Sequence, residues 1–444
     1  MLRADAELCD HAVDLCQRLL RIDTTNPPGQ EREAAELLAT ELSAAGLEPT
    51  VLESAPSRAN VVVRHKGTGA KPPLLLTAHL DVVEADASQW RYPPFSGTIA
   101  EGCLWGRGAI DMKNHAAMSV ALLSRLAREG RKLDRDLIFA GVADEEAGCE
   151  FGSGWLCDHR PDLVRAEYAI GEGGGFNLNL GGKRFFTVQV AEKGFCWVRA
   201  RVRGEPGHGS MPRADSAVVK LAQGIARLAK GLPPHRTRVV GEFLSTIASA
   251  QPALVKPLLA AVTKTDVLPR LLKLLPDAGV ARALGAMLSN TASATVVRAG
   301  NKTNVIPGLA EVEIDGRTLP GQTDRDFLRE LGEILGPEFE LEVMRSAPPV
   351  ETEPVRSPLY DRILEVLRER EPDATPVPYM IPGFTDAKSF TRLGARWYGF
   401  SPVKLPPGMR FADMFHGHDE RIPIDGLRWG TEVLTDVVCR FAGS

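Results

Sequence analysis

Leu74-Leu75-Leu76-Thr77-Ala78-His79-Leu80-Asp81-Val82-Val83 is an apolar run interrupted at its end by a histidine and an acid two residues apart. A continuous run of this kind predicts a strand buried on both faces, in the middle of a sheet. Alternate residues of a strand point to the same side, so His79 and Asp81 face one site at its carboxyl end, where open α/β sheets bind ligands. Two readings of the pair stand side by side. Either His79 ligates a metal while Asp81 holds its other ring nitrogen, or two polar groups satisfy each other at a buried strand end.

Around this strand, Leu137 to Val142 and Tyr168 to Gly171 predict further buried strands, and Asn60 to Arg64 another β-rich run. Helical spacing predicts helices over Leu8 to Leu20, stopped by Asn26-Pro27-Pro28-Gly29, over Glu31 to Ala45, and over Met112 to Ala127. Strands alternating with helices predict an α/β fold, a mostly parallel sheet flanked by helices. From Lys193 the pattern changes. Phe195 to Val202 and Ala310 to Ile314 alternate apolar and polar residues, with a helix over Ser216 to Lys230, which predicts an α+β module with one solvated sheet face. After the Pro-rich stretch Ala347 to Pro358, a helix over Leu359 to Arg368 and short apolar strands resume to the C-terminus. The expected domains are 1-192 and 347-444, two parts of one α/β domain, with 193-346 inserted between them. Residues 232–290 are Ala/Leu-rich and helical in character, broken by Pro257, Pro269 and Pro276.

The 444 residues carry 53 Lys+Arg against 57 Asp+Glu, a net charge of -4. No global basic field attracts a phosphate backbone, which argues against a nucleic-acid partner. Seven scattered cysteines without a Cys-x-x-Cys pair exclude a thiolate zinc knot and suit a reducing compartment. The N-terminal stretch has no signal-peptide h-region, and no window reaches the ~20 apolar residues of a membrane span. A soluble cytoplasmic protein without a membrane partner is the expectation.

Four further segments bear chemistry. Gly106-Arg107-Gly108-Ala109-Ile110-Asp111 lacks the third glycine of a dinucleotide loop, and Asp111 in its place would repel a pyrophosphate, so a metal-bridging carboxylate fits better. Asp144-Glu145-Glu146 reads as a solvated acidic loop by charge alone, yet it follows a strand that looks central. Glu172 stands alone before Gly173-Gly174-Gly175, and His416 and His418 lie beside acids near the C-terminus. Histidines and carboxylates without a thiolate suit a pair of divalent ions, zinc first.

In that order and at those intervals, His79-Leu80-Asp81, Gly106 to Lys113, Asp144 to Glu146, Glu172 and His416 resemble the zinc-dependent amidohydrolases and exopeptidases that include aminoacylase-1, carboxypeptidase G and succinyl-diaminopimelate desuccinylase. The resemblance spans nearly the whole chain. It implies a zinc-exopeptidase-like catalytic domain with an inserted α+β domain that acts as lid and forms a homodimer. It implies two divalent ions, zinc with cobalt or manganese as alternatives, bridged by Asp111, one also held by His79 and Glu172, the other by Glu146 and His416. It implies a cis peptide after Asp111, Asp81 as an orienting catalytic residue, and Glu145 as the general base for a metal-bridging water. His208, in Gly204-Glu205-Pro206-Gly207-His208-Gly209, would stabilise the oxyanion in the partner's site, although such a loop histidine is by itself more often an exposed turn residue. Asn304 and Arg317 resemble contacts to the substrate carboxylate and oxyanion. Gly383 and Thr385 resemble a carboxylate pocket, with Phe384 where the family has glycine. The implied reaction is hydrolysis of an amide in N-acyl amino acids or short peptides with a free carboxylate. The alternatives are a dipeptidase or carboxypeptidase on the same scaffold and a metal-free binding protein of the same fold.

Overall fold

The computed structural model describes residues 2–251, 278–353 and 355–443. The stretch 252–277, with Pro257, Pro269 and Pro276 of the Ala/Leu-rich segment, lies outside the described residues. The chain divides into two compact units. The first comprises Met1–Val190, Thr352–Tyr379 and Thr385–Ser444, the second Ala191–Glu351 and Met380–Phe384.

In the first unit, Lys71–His79 is hydrogen-bonded between Arg135–Val142 and Tyr168–Gly171 and runs parallel to both. Arg396–Gly399 extends the parallel set beside Tyr168–Gly171. Antiparallel strands flank this core, Arg58–His65 and then Thr50–Ala55 on one side and Lys183–Glu192 on the other. Every residue from Leu74 to His79 is buried, as an apolar run in mid-sheet requires.

Helix Ala6–Leu20 starts at Asp5, whose side chain accepts from the Leu8 N–H at 3.0 Å. It buries Leu8, Ala12, Leu15, Cys16 and Leu19, one helical stripe, against Lys113–Arg128 and Ile424–Ala442. After helix Pro358–Arg370 the expected short strands are present as Ala374–Ile381 and Arg396–Gly399, but the chain then ends in a helix where strands were expected. Ile424–Ala442 is a 19-residue helix, buried along much of its length, so an apolar face three to four residues wide is hidden among further apolar positions. Gly426, Gly430 and the pair Val437-Val438 weaken its intrinsic helix propensity, and tertiary packing overrides that weakness.

The second unit is built on an antiparallel sheet in the order Thr291–Ala299, Leu309–Thr318, Gly194–Arg203, Phe339–Ala347. One face, with Cys196, Val198, Ala200, Val202, Val312 and Ile314, packs against Leu221, Phe327 and Leu331 of helices Ala217–Leu228 and Asp324–Leu335. The opposite face carries cross-strand ion pairs such as Arg199 with Glu313 at 3.2 Å and Arg201 with Glu311 at 3.4 Å. The alternation in the sequence is that of a half-solvated sheet. Within residues 232–290, helices Arg238–Ala250 and Ala278–Leu288 are described. Among the described residues no helix is long and apolar enough to cross a membrane, and all seven cysteines are free and buried.

Candidate metal centre

Three neighbouring parallel strands end at one edge of the first unit's sheet. His79 closes Lys71–His79, Asp144 to Glu146 follow Arg135–Val142, and Glu172 follows Tyr168–Gly171. Asp111 arrives from the glycine loop before helix Lys113–Arg128, and the Asp111–Met112 peptide is cis. His79 Nε2 lies 3.0 Å from Asp111 Oδ1 and 3.5 Å from Glu172 Oε2. His416 Nε2 lies 3.2 Å from Asp111 Oδ2 and 3.1 Å from Glu146 Oε2. Asp111 thus turns one oxygen toward each histidine, with Glu172 on one side and Glu146 on the other. The His79 side chain is fully buried and that of His416 is 42% exposed, so one end is closed and the other open. His418 is also exposed, and it is His416 that reaches the acids.

Asp81 does something other than its spacing suggested. His79 Nδ1 is 2.9 Å from the main-chain oxygen of Asp81 and 3.7 Å from its carboxylate. The carbonyl therefore accepts from the Nδ1–H, which fixes the ring and turns Nε2 toward the acids. The Asp81 carboxylate instead accepts from the main-chain N–H groups of Glu145 and Glu146, each at 3.1 Å, and from Asn26 Nδ2 at 2.8 Å. It holds the turn that carries the two glutamates.

Two supporting groups were not read from the sequence. Glu420, fully buried, accepts from the N–H groups of Gly108, Ile110 and Asp111 at 3.0, 2.8 and 3.2 Å and from Arg107 Nη1 at 2.8 Å. Arg58 forks onto Glu31 with two 2.8 Å bonds and reaches Asp144 at 2.9 Å, and Asp144 also accepts from Asn26 at 3.1 Å. In the sequence Asn26 marks only a helix stop. Neither network has a local signal, because the partners lie tens to hundreds of residues apart.

Burial, and after it the charge of Glu172, pushes the Glu145 carboxyl well above its ordinary range. Burial also raises Glu146 and lifts Glu172 to about 8. At His79 burial acts to lower the pKa, but Glu172 and Asp111 outweigh it and hold it well above 6.5. His416 rises to about 10, Asp111 and Glu146 overcoming burial in the same way. Four carboxylates thus crowd two imidazoles, and Glu145 Oε1 and Glu172 Oε1 are buried without a hydrogen-bond partner. Donor atoms of His79, Glu145 and Glu172, and of His79, Asp111 and Glu146, come within 4.8 Å of one another. Such a nitrogen and oxygen set, with excess negative charge and idle buried oxygens, fits divalent cations.

Residues 75–440 match Peptidase family M20/M25/M40. The chain belongs to this family. It is 30% identical to the N-fatty-acyl-amino acid synthase/hydrolase PM20D1 of Xenopus tropicalis, over 80% of this chain and 70% of that protein. It is 26% identical to aminoacylase-1 of Mus musculus, over 100% of this chain and 98% of that one. The crystal structure of the M20 family metallo-carboxypeptidase Sso-CP2 from Sulfolobus solfataricus has the same fold. Its TM-score is 0.71 at 19% identity, covering 98% of this chain and 99% of that one. The chain is therefore a hydrolase of the metallopeptidase type.

The remaining candidates of this M20/M25/M40 hydrolase are distributed over both units. His208 is exposed in the two-residue strand Gly207–His208, paired with Val305–Ile306. Its Nδ1 accepts from the Ser210 N–H at 3.2 Å and lies 2.8 Å from Ser210 Oγ, so the neutral ring carries its proton on Nε2. The Asn304 carbonyl accepts from the Gly209 N–H at 2.9 Å, which brings Asn304 and His208 onto one loop pair. Arg317 sits apart from them. Its Nε and Nη2 fork onto Asp315 at 2.8 and 3.0 Å, and its guanidinium lies 5.1 Å from the Phe384 ring centroid. The bidentate fork is thus already engaged within the chain. Gly383 belongs to the second unit and Thr385 to the first, where the buried Thr385 hydroxyl accepts from the Ala387 N–H at 3.1 Å.

Proposed function

We propose that this chain hydrolyses the amide bond of N-acyl amino acids or short peptides that carry a free carboxylate, with two divalent ions, zinc first and cobalt or manganese as alternatives. The observation that carries this reading is Asp111 between two histidines, one oxygen toward each, with Glu145 beside them and its Oε1 unpartnered. His79 and Glu172 would hold one ion, His416 and Glu146 the other, and Asp111 both. When bound, such ions polarise a carbonyl oxygen and lower the pKa of water from 15.7 to about 7.

Glu145 takes the proton of the attacking water and returns it to the leaving nitrogen. Burial raises its proton affinity, and cations bound beside it would draw it back toward the working range. Asp81 keeps the base aimed through the Glu145 N–H. His208 of a second copy in a homodimer donates from Nε2 to the oxyanion. Asn304, Arg317, Gly383 and Thr385 contact the substrate, with Arg317 sharing its guanidinium between Asp315 and the substrate carboxylate. The names of aminoacylase-1 and PM20D1 favour an N-acyl amino acid over a dipeptide. A panel of acylated amino acids beside dipeptides separates the two.

The base assignment is tested by Glu145→Gln. Turnover should fall by about 10³ or more while the metal content, measured by plasma emission, stays that of the parent protein. Near-normal turnover would show that another group moves the proton.

A further inference from the structure

The main chain of Thr24 to Asn26 runs alongside the segment that follows strand Lys71–His79. The Thr24 hydroxyl donates to the Leu80 carbonyl at 2.6 Å, the Val82 N–H to the Thr24 carbonyl at 3.2 Å, and the Asn26 N–H to the Val82 carbonyl at 2.9 Å. Asn26 is thereby fixed beside Asp81, and its buried side chain reaches the turn that follows the neighbouring strand Arg135–Val142. Two carboxylates accept from its Nδ2, Asp81 Oδ2 at 2.8 Å and Asp144 Oδ1 at 3.1 Å. Both acids grip the same turn. Asp144 opens it in left-handed backbone, at φ 67°, and its carboxylate also accepts from Arg58 at 2.9 Å and from the Phe151 N–H at 3.1 Å. Asp81 accepts from the next two N–H groups, those of Glu145 and Glu146.

We propose that Asn26 is a positioning residue for the general base, a clamp that joins the ends of two neighbouring strands through one amide. Held by Asp81 alone, the two N–H groups could pivot about the carboxylate that binds them. With Asp81 and Asp144 tied to one nitrogen, a rotation of the turn breaks a buried hydrogen bond, so Glu145 and Glu146 leave the backbone in fixed directions. The amide is suited to this place because each of its two hydrogens meets one acid without a positive charge. A lysine or arginine there would compete with cations for the acids and would lower the proton affinity of Glu145. The inference rests on the amide-hydrolase reading above, which gives Glu145 its role.

The test compares Asn26→Ala and Asn26→Leu with the parent, all as metal-saturated full chains. On an N-acyl amino acid kcat should fall about 10–100-fold while KM stays within about twofold, because the group acts on the base and not on substrate binding. Leucine keeps the branched outline of asparagine without its donors, so Asn26→Leu should do no better than Asn26→Ala. Near-parental kcat in Asn26→Leu would show that position 26 only fills space, and overturns the proposal. In the Glu145→Gln background Asn26→Ala should lower the residual turnover by less than about twofold, since the group it positions is already gone. An equal fall in both backgrounds overturns the assignment to the base. The clamp is also read without turnover, by hydrogen exchange and mass spectrometry of the peptide spanning 143–151. Exchange there should quicken at least about tenfold in Asn26→Ala while the peptide over 71–79 keeps the parental rate. Parental exchange over 143–151 overturns the clamp. Faster exchange there, in a chain whose parent hydrolyses neither N-acyl amino acids nor dipeptides, upholds the clamp and overturns the amide-hydrolase reading instead.

Discussion

Glu420 accepts four hydrogen bonds in a fully buried position, three of them from the main chain of the loop that ends in Asp111. Burial lifts its pKa to about 7, and Arg107 with the loop N–H groups offsets the cost of its charge. A glutamine there has one acceptor oxygen and an amide that donates. Whichever way it flips, its NH₂ faces either Arg107 and Gly108 or Ile110 and Asp111. Glu420→Gln is therefore expected to cost about 3–5 kcal/mol in urea unfolding, as breaking a buried pair does. It should also lower divalent-ion affinity 10–100-fold through the displaced Asp111. Parental affinity in a chelator-competition titration would mean that Asp111 is positioned by something else. His79, Asp111, Glu146, Glu172 and His416 were legible in the sequence because each stands in a short polar interruption at a strand end or in a glycine turn. Glu420 lies four residues past His416 in the same stretch and was not, because its partners are main-chain N–H groups that any residue supplies.

Helix Lys113–Arg128 is buried along most of its length, since it lies under the sheet and against Ala6–Leu20 and Ile424–Ala442. Total burial puts His115 where a charge is costly. Its pKa falls from 6.5 to about 3, with only the main chain of Ile170 acting the other way. Between those two values the unfolded chain binds a proton that the folded chain refuses, so the stability contributed by neutral His115 is complete above about pH 6.5 and is lost as the pH falls toward 3. The loss is about 1.4 kcal/mol per pH unit within that window. His115→Leu should remove about one proton's worth of slope from unfolding free energy measured by urea between pH 6.5 and 4.5. Equal slopes in the two proteins would mean that His115 titrates normally. At this scale the parallel core was readable, because strands buried on both faces appear as continuous apolar runs. The C-terminal helix was not, because an element buried nearly all round loses the polar face that marks its period.

The change of hydrophobic pattern at Lys193 is what made a second unit visible, since a half-solvated antiparallel sheet alternates where a buried parallel one does not. A catalytic role for that unit, as proposed for His208, is not encoded in any period. His208 lies exposed in it with Nδ1 engaged by Ser210 and its proton on Nε2, the tautomer needed to donate to an oxyanion. If it serves the partner's site in a homodimer, two inactive variants should complement each other. A mixed dimer of Glu145→Gln and His208→Ala holds one site with an intact base and an intact histidine from across the interface, and one site with neither. Random exchange makes half of the dimers mixed, so about a quarter of parental activity should return on mixing the two variants after dissociation and reassociation. If His208 instead acts within its own chain, every site in the mixture lacks one of the two groups and activity stays at the residual level of the separate variants.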